Sequence, residues 1–384
     1  SKESKSGAKP LLASVTKLEA KGDQTVVFTL NGGNADFPYV LGDYHLGIVP
    51  DGFSDWNNPI GSGPFMLKSF DPGVQISFER NPHYFRDGRP YVDAIEITAV
   101  NDGTARLSAL QSGSVDIVNR VETRIANKLK QSSGIDVIVS PSRTHYCFVM
   151  DTRVAPFSDP KVRLALKYAL DRKTILKNVL AGYGSIGNDQ SIPEGDPFYA
   201  ALPQHEYDPD KARALLKEAG HENLAIELCA ADGAFAGAVD MAVLFADSAK
   251  AAGIDVTVKR EADDSYWDVI WMKKPFYMSW FGGRPTADMM LTLAYQSASS
   301  WNDTFFNDAK FDALLAAARV SQDEGKRREM YAELQRIVWE SGGYLIPVFA
   351  NTIDACAARV HGLQPNINSE LMAGRLGEYV WLDS

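Results

Sequence analysis

Cysteine is scarce: the 384 residues hold three, Cys147, Cys229 and Cys356, far apart and without a CxxC pair. That spacing excludes a disulfide framework and a thiolate metal site, and the apolar surroundings of each read as a small buried side chain. The six histidines never pair at metal-ligand spacing, so neither a metal nor a cofactor is expected. Basic charge is also short. Lys and Arg number 39 against 49 Asp and Glu, for a net charge of -10 with no basic block, which excludes an electrostatic grip on nucleic acid. No apolar run is long enough to cross a bilayer. Repeats and low-complexity linkers are absent too. The opening Ser1-Lys2-Glu3-Ser4-Lys5-Ser6-Gly7 has no apolar centre and is not a signal peptide. Either a leader has been removed or the chain starts partway through a longer protein.

What is present is a globular composition, 45% hydrophobic, at a length that one core does not serve, so two lobes are expected. Residues 11–50 read as β structure, with Gln24–Leu30 a β-branched run ended by Asn31-Gly32-Gly33. Val74–Glu79 and Val92–Ile97 alternate with period two, which predicts one buried face on each. A capping Ser158-Asp159 before Pro160 predicts a helix running to about Gly182, and Asp208-Pro209 repeats the device up to Gly220. An Ala-rich helix over 235–252 precedes the strand Ile254–Val258, giving helix and strand alternation. Amphipathic helices over Ala309–Arg319 and Glu324–Trp339 lead to a short buried strand, Leu345–Phe349. The division predicted is 1–95 as a small β-rich subdomain with part of lobe I, 96–146 in lobe I, 147–346 as lobe II and 347–384 returning to lobe I. The crossings are placed near Tyr146–Asp151 and Pro347–Asn351.

The most informative stretch is Phe276–Phe306. It begins as an apolar strand, breaks at Gly282-Gly283, presents Arg284 and Pro285, and resumes as a Met-rich helix with Asp288 in its first turn. Trp301, Asn302 and Asp303 follow as an aromatic and polar loop suited to a wet ligand site.

Several segments, taken in order, resemble the extracellular solute-binding proteins of the peptide/nickel family, the dipeptide- and oligopeptide-binding components of ABC importers. They are Gly61-Ser62-Gly63-Pro64-Phe65 with Glu79–Phe85, Leu110–Ile117, Pro156–Leu166 with Ala169-Leu170-Asp171-Arg172, Tyr207–Ala212 with Gly220, and Ile346-Pro347-Val348. The resemblance implies an α/β fold of the two-lobed periplasmic-binding-protein type, mixed sheets flanked by helices with a small β-rich subdomain and a hinge between lobes. It implies a monomer outside the cytoplasmic membrane that captures a solute between its lobes and hands it to a membrane permease without chemistry. The family's opening segment is not matched, which implies either that the first lobe is incomplete or that a separate N-terminal fragment completes its sheet.

In the peptide-binding members an aspartate shortly after a tryptophan-bearing strand holds the peptide's α-amine. Here Trp280 matches the tryptophan, but Phe281, Gly282, Gly283 and Arg284 follow, with no carboxylate. An arginine there points to an anionic ligand: an acidic or unusually linked peptide, an opine-like conjugate or a sugar acid. Equally, Arg284 can pair with Asp288 four residues on and touch no ligand. Trp280 and Trp301 are candidate walls, as are Tyr146 and Phe148 on the crossing strand, where alternation can place one at the cleft and core packing is the expected fate of at least one. Asn302 and Asp303 either face ligand or cap a turn, and Met289 and Met290 read as core. Arg163 and Arg172 read as structural or as permease-facing. Two rivals stand beside this reading: a hydrolase using the carboxylates Glu261, Asp263, Asp264 and Asp268, and a peptide-binding chaperone using the same cleft.

Overall fold

The computed structural model describes residues 8–383, so the polar opening Ser1–Gly7 lies outside the described residues. The chain forms two compact units: one of residues up to His45 with Arg143–Ala350, the other of Leu46–Ser142 with Asn351 onward. The sequence kept 1–95 in one piece, whereas the structure divides it after His45. The reason is tertiary. Leu11 and Val40 bury against Met289, and Asp36 takes an ion pair from Arg327 at 2.8 Å, partners that local periodicity does not reveal. Nor are residues 11–50 β throughout: a hairpin of Val15–Ala20 and Val26–Leu30 is followed by a helical turn, Phe37–Val40.

The first unit is built on a six-stranded mixed sheet. Its order is Asp255–Arg260, Ala225–Ala230, Phe276–Phe281, His145–Met150, Tyr344–Ala350 and Gly184–Ile186. Ala225–Ala230 runs parallel to both its neighbours, and the other pairs are antiparallel. The central strands are apolar on both faces because helices cover both, and Tyr344–Ala350 is buried along its whole length.

Helix starts follow the caps. Asp159 accepts from the backbone N–H of Lys161 at 2.7 Å, and Asp208 from that of Lys211 at 2.9 Å. The single helix expected up to Gly182 is instead two, Pro160–Tyr168 and Arg172–Asn178. The break lies at Asp171, whose carboxylate accepts from the Thr174 N–H and hydroxyl and so opens a new helix. The first of the pair buries Val162, Ala165 and Leu166, and full burial of one such leucine contributes roughly 1.5–3 kcal/mol.

Neither Arg163 nor Arg172 faces outward. Arg163 donates to the carbonyl of Ser341, and Lys167 to those of Val338 and Trp339, so the two close the C-terminus of the helix Glu324–Ser341. Arg172 pairs with Asp189 at 2.5 Å, and Asp189 also accepts from His205 at 2.8 Å and from the Ile346 N–H at 2.8 Å, all buried. The permease-facing option for both arginines is thereby removed.

The second unit has two three-stranded antiparallel sheets. One is ordered Phe65–Asp71, Gln75–Arg80, Ala94–Thr98, and the other Ile117–Val118, Thr352–Ala357, Ile135–Ser140. In the first, the alternation of Val74–Glu79 and Val92–Ile97 does not mark a buried face. Phe70, Val74 and Ile97 are each more than half exposed.

Candidate functional site

Arg284 and its surroundings lie wholly in the first unit. The strand Phe276–Phe281 ends beside His145–Met150, and the register sets Trp280 opposite Tyr146. Both rings are half-buried, and Tyr146 stacks on Phe235 with ring centres 3.9 Å apart and planes 9° from parallel. A Cβ on Gly282 would meet the Trp280 ring at 3.5 Å and Arg284 Nη1 at 3.7 Å, ordinary contact distances, so ring and guanidinium both lie against this position of the turn. Arg284 is 9% exposed and donates from Nη1 to the carbonyls of Gly282 and Gly283, both at 3.1 Å. Burial lowers its guanidinium, opposed by the nearby Tyr44 and Asp43. Among the described residues no carboxylate forms an ion pair with it. It is a buried cation turned toward its own backbone, a suitable host for an anion.

The pairing of Arg284 with Asp288 does not form. Asp288 is buried and bound by Arg319, whose Nε reaches its oxygens at 3.2 and 3.1 Å while Nη2 reaches the Thr292 hydroxyl. That commits Asp288 to holding the helices Ala287–Tyr295 and Ala309–Val320 together. Phe148 is fully buried between Phe245 and Phe276, so of the two crossing-strand aromatics only Tyr146 stays on the site. Asn302 is spent on its own loop, accepting from Thr304 and the Phe306 N–H and donating to the Phe306 carbonyl at 2.7 Å.

Trp301 is half-buried and meets Trp271 and His45 edge to face, with ring centres 6.1 and 6.3 Å away. His45 Nδ1 lies 2.6 Å from Asp43, and its ring lies against Tyr44. The triplet Asp43-Tyr44-His45 thus joins the Trp301 group to Arg284. Sequence reading missed it, although a polar and aromatic triplet directly after Gly42 is the kind of signal that a strand assignment overrides. In the second unit the arginines near a depression over residues 80–91 are already engaged: Arg80 with Asp93, Arg86 with Glu378, and Arg89 with the Glu378 carbonyl.

Two buried titratable groups flank the site. His145 lies between Phe281 and Phe349, with Nε2 unpartnered, and burial pushes it down to about 4 against the weak pull of the Arg143 carbonyl. Asp303 accepts from the Tyr344 hydroxyl and from Trp271 Nε1 at 3.0 Å, yet burial still pushes it up to about 6. Their linkages have opposite sign. For His145 the native pKa lies below the unfolded value of about 6.5, so its contribution to stability is lost as pH falls from there toward 4. For Asp303 the native pKa lies above the unfolded value of about 3.9, so stability is lost as pH rises from there toward 6. Thermal midpoints read between pH 4 and 7 should therefore show His145→Phe gaining on the natural chain as pH falls, and Asp303→Asn gaining as pH rises. Parallel profiles would refute both assignments.

A family model described as bacterial extracellular solute-binding proteins, family 5 middle, matches residues 1–304. The chain is 24% identical over 372 residues to the glutathione-binding protein GsiB of Salmonella typhimurium, spanning 92% of this chain and 72% of that protein. For the Shigella flexneri protein of the same name the identity is 25% over 373 residues, with the same shares. Among solved structures, DppA of Helicobacter pylori, an ABC transporter-associated periplasmic binding protein in complex with the peptide STSA, superposes with a TM-score of 0.88. It is 21% identical, over 98% of this chain and 76% of that one. The binding protein AgaA of A. tumefaciens in complex with agropinic acid also gives 0.88, at 23% identity over 100% and 81%. Likeness at this level gives the fold: that of the two-lobed α/β periplasmic binding proteins.

Proposed function

The chain belongs to the bacterial extracellular solute-binding proteins of family 5, and from that membership we propose that it captures a small peptide or peptide-like anionic solute and delivers it to an ABC permease without altering it. The observation that carries the anionic preference is Arg284: a buried guanidinium with no carboxylate paired to it among the described residues, set on a glycine break beside Trp280. Trp280, Tyr146, Trp301, Gly282 and Gly283 form the surrounding wall, and Asp43, Tyr44 and His45 extend it. Support comes from the glutathione-binding relatives and from the agropinic acid bound by AgaA. Glutathione is a γ-linked tripeptide with two carboxylates, which matches an arginine where peptide binders place an aspartate.

Binding without chemistry is supported by the carboxylate cluster after Arg260. Glu261 pairs with Lys259 at 3.1 Å and Asp263 accepts from the Gly233 N–H at 2.7 Å, so these acids are tied to separate partners rather than set against one another. The exposed Phe70 and Ile97 support the additional proposal that a separate fragment of the same protein covers that sheet of the second unit.

Mass spectrometry of protein purified without refolding, native and then denatured, tests these readings together. The expected result is release of a compound with a free carboxylate, and a second polypeptide in the native mass would identify the covering fragment. Release of a mixture of short peptides with no acidic member would overturn the role given to Arg284.

A further inference from the structure

The turn that carries Arg284 has four successive backbone carbonyls, those of Gly282, Gly283, Arg284 and Pro285, beyond the end of the strand that would otherwise pair them. Every one is met by a guanidinium. Arg284 Nη1 takes the first two, at 3.1 Å each, and Arg143 Nη1 takes the other two, at 2.7 and 2.8 Å. Arg143 is held in its turn: Nη2 pairs with Asp196 at 3.0 Å, with the two side chains 12% and 3% exposed. Asp196 is fixed by accepting from the Phe198 N–H at 2.8 Å. Arg143, Asp196, Thr286 and Arg284 border one small crevice.

We infer that Arg143 is a positioning residue for ligand recognition, anchoring the Arg284 turn through the Arg284 and Pro285 carbonyls. This rests on the proposed role of Arg284. The division of labour follows from charge. The Arg143 cation is neutralised by Asp196, so it adds little attraction for an anion, whereas Arg284 has no such partner among the described residues. What Arg143 supplies is geometry: Nη1 meets two consecutive carbonyls while Nη2 is held by Asp196, and the planar guanidinium fixes the two nitrogens relative to each other. Without it, both carbonyls lose their donors, the turn gains freedom, and the Arg284 guanidinium no longer waits in one place. An arginine 141 residues away in sequence thus sets the aim of the ligand's partner.

The test is calorimetric titration with three probes, reduced glutathione, the dipeptide Ala-Glu and free glutamate, on the natural chain, Arg284→Ala, Arg143→Gln, Arg143→Lys and the double variant Arg284→Ala/Arg143→Gln. Thermal midpoints without probe report on folding. Arg143→Gln is expected to weaken the tightest probe about tenfold, and Arg143→Lys, which keeps the charge but offers one nitrogen where Arg143 uses Nη1 on the carbonyls and Nη2 on Asp196, by less. The decisive readout is the double variant, expected to bind no more weakly than Arg284→Ala alone, because Arg143 acts through Arg284. A purely structural role would make the two losses add and would make affinity track the midpoint across the Arg143 variants. Weakening by Arg284→Ala with no effect of Arg143→Gln would overturn this inference alone. Binding unaffected by Arg284→Ala, or no binding of any probe, would overturn the reading beneath it.

Discussion

Replacing Arg284 by alanine is expected to weaken an anionic ligand by about 2–4 kcal/mol, roughly 30-fold to 1,000-fold in Kd at 25 °C. The magnitude follows from the environment. The guanidinium is almost wholly buried and lacks a carboxylate of its own, so an incoming anion finds a donor already stripped of water and already placed. In bulk water the same pair would be worth a small fraction of that. Removal strands the ligand's charge in a site that water does not readily fill, and truncations of one partner in a buried pair are costly for that reason. Titration with reduced glutathione measures it. A Kd within threefold of the natural chain would show that the anion sits elsewhere. The direction of the salt response separates the outcomes further, since a buried pair is screened far less than an exposed one.

The second large effect concerns folding. Asp189→Ala is expected to destabilise the first unit by about 3–5 kcal/mol, because it leaves Arg172 a buried cation without its carboxylate and the Ile346 N–H without an acceptor. At this size that is roughly a 10 °C fall in thermal midpoint. Asp189→Asn should lose less. It keeps an acceptor for Ile346, and asparagine tolerates the positive φ of 59° at this position better than most residues. The pH dependence is fixed in sign. Burial alone would raise the Asp189 carboxyl, but Arg172 and His205 outweigh it and hold the group below the ordinary carboxylate range. Its stabilisation is complete above the unfolded value of about 3.9 and is lost as pH falls through the native one. Thermal unfolding of the three chains at pH 7 and pH 3 checks this: the gap between variant and natural midpoints should narrow at pH 3, where the unfolded carboxyl is largely protonated and the native one is not, without closing. Equal midpoints at pH 7 would mean that the triad contributes nothing.

How much of this was legible in the sequence depends on the distance between partners. Asp159 and Asp208 could be read because a capping oxygen and the N–H it accepts from lie two or three residues apart, and the break after Phe281 because a glycine pair follows it directly. Asp171 uses the same chemistry, but an apolar helical run continues across it, and periodicity concealed the second start. The family resemblance carried the fold through ordered weak motifs, none specific alone. The site was harder. Asp288 has a natural partner four residues away, yet its partner proved to be Arg319, 31 residues on, and nothing local favours that choice. Tyr146 and Phe148, two residues apart, share one face of the strand, and which of them is fully covered depends on the helix that carries Phe245. Arg143, Asp196 and the Asp43-Tyr44-His45 triplet carry no motif, and they acquire meaning only when the fold brings them to the turn.

The sheet of Ile117–Val118, Thr352–Ala357 and Ile135–Ser140 has its middle strand supplied more than 200 residues after its outer two. During synthesis, therefore, the outer strands emerge with no ladder between them, since each pairs with the centre and neither pairs with the other. Until Thr352–Ala357 leaves the ribosome, that part of the second unit has no sheet to form. Late closure leaves that sheet unformed until its middle strand has been made, while the hairpin over residues 15–30 and the sheet over residues 65–98 have all their strands early. A chain stopped just before Thr352 would keep all of the first unit's residues and still leave the outer strands of this sheet unpaired, so its predicted fate is aggregation.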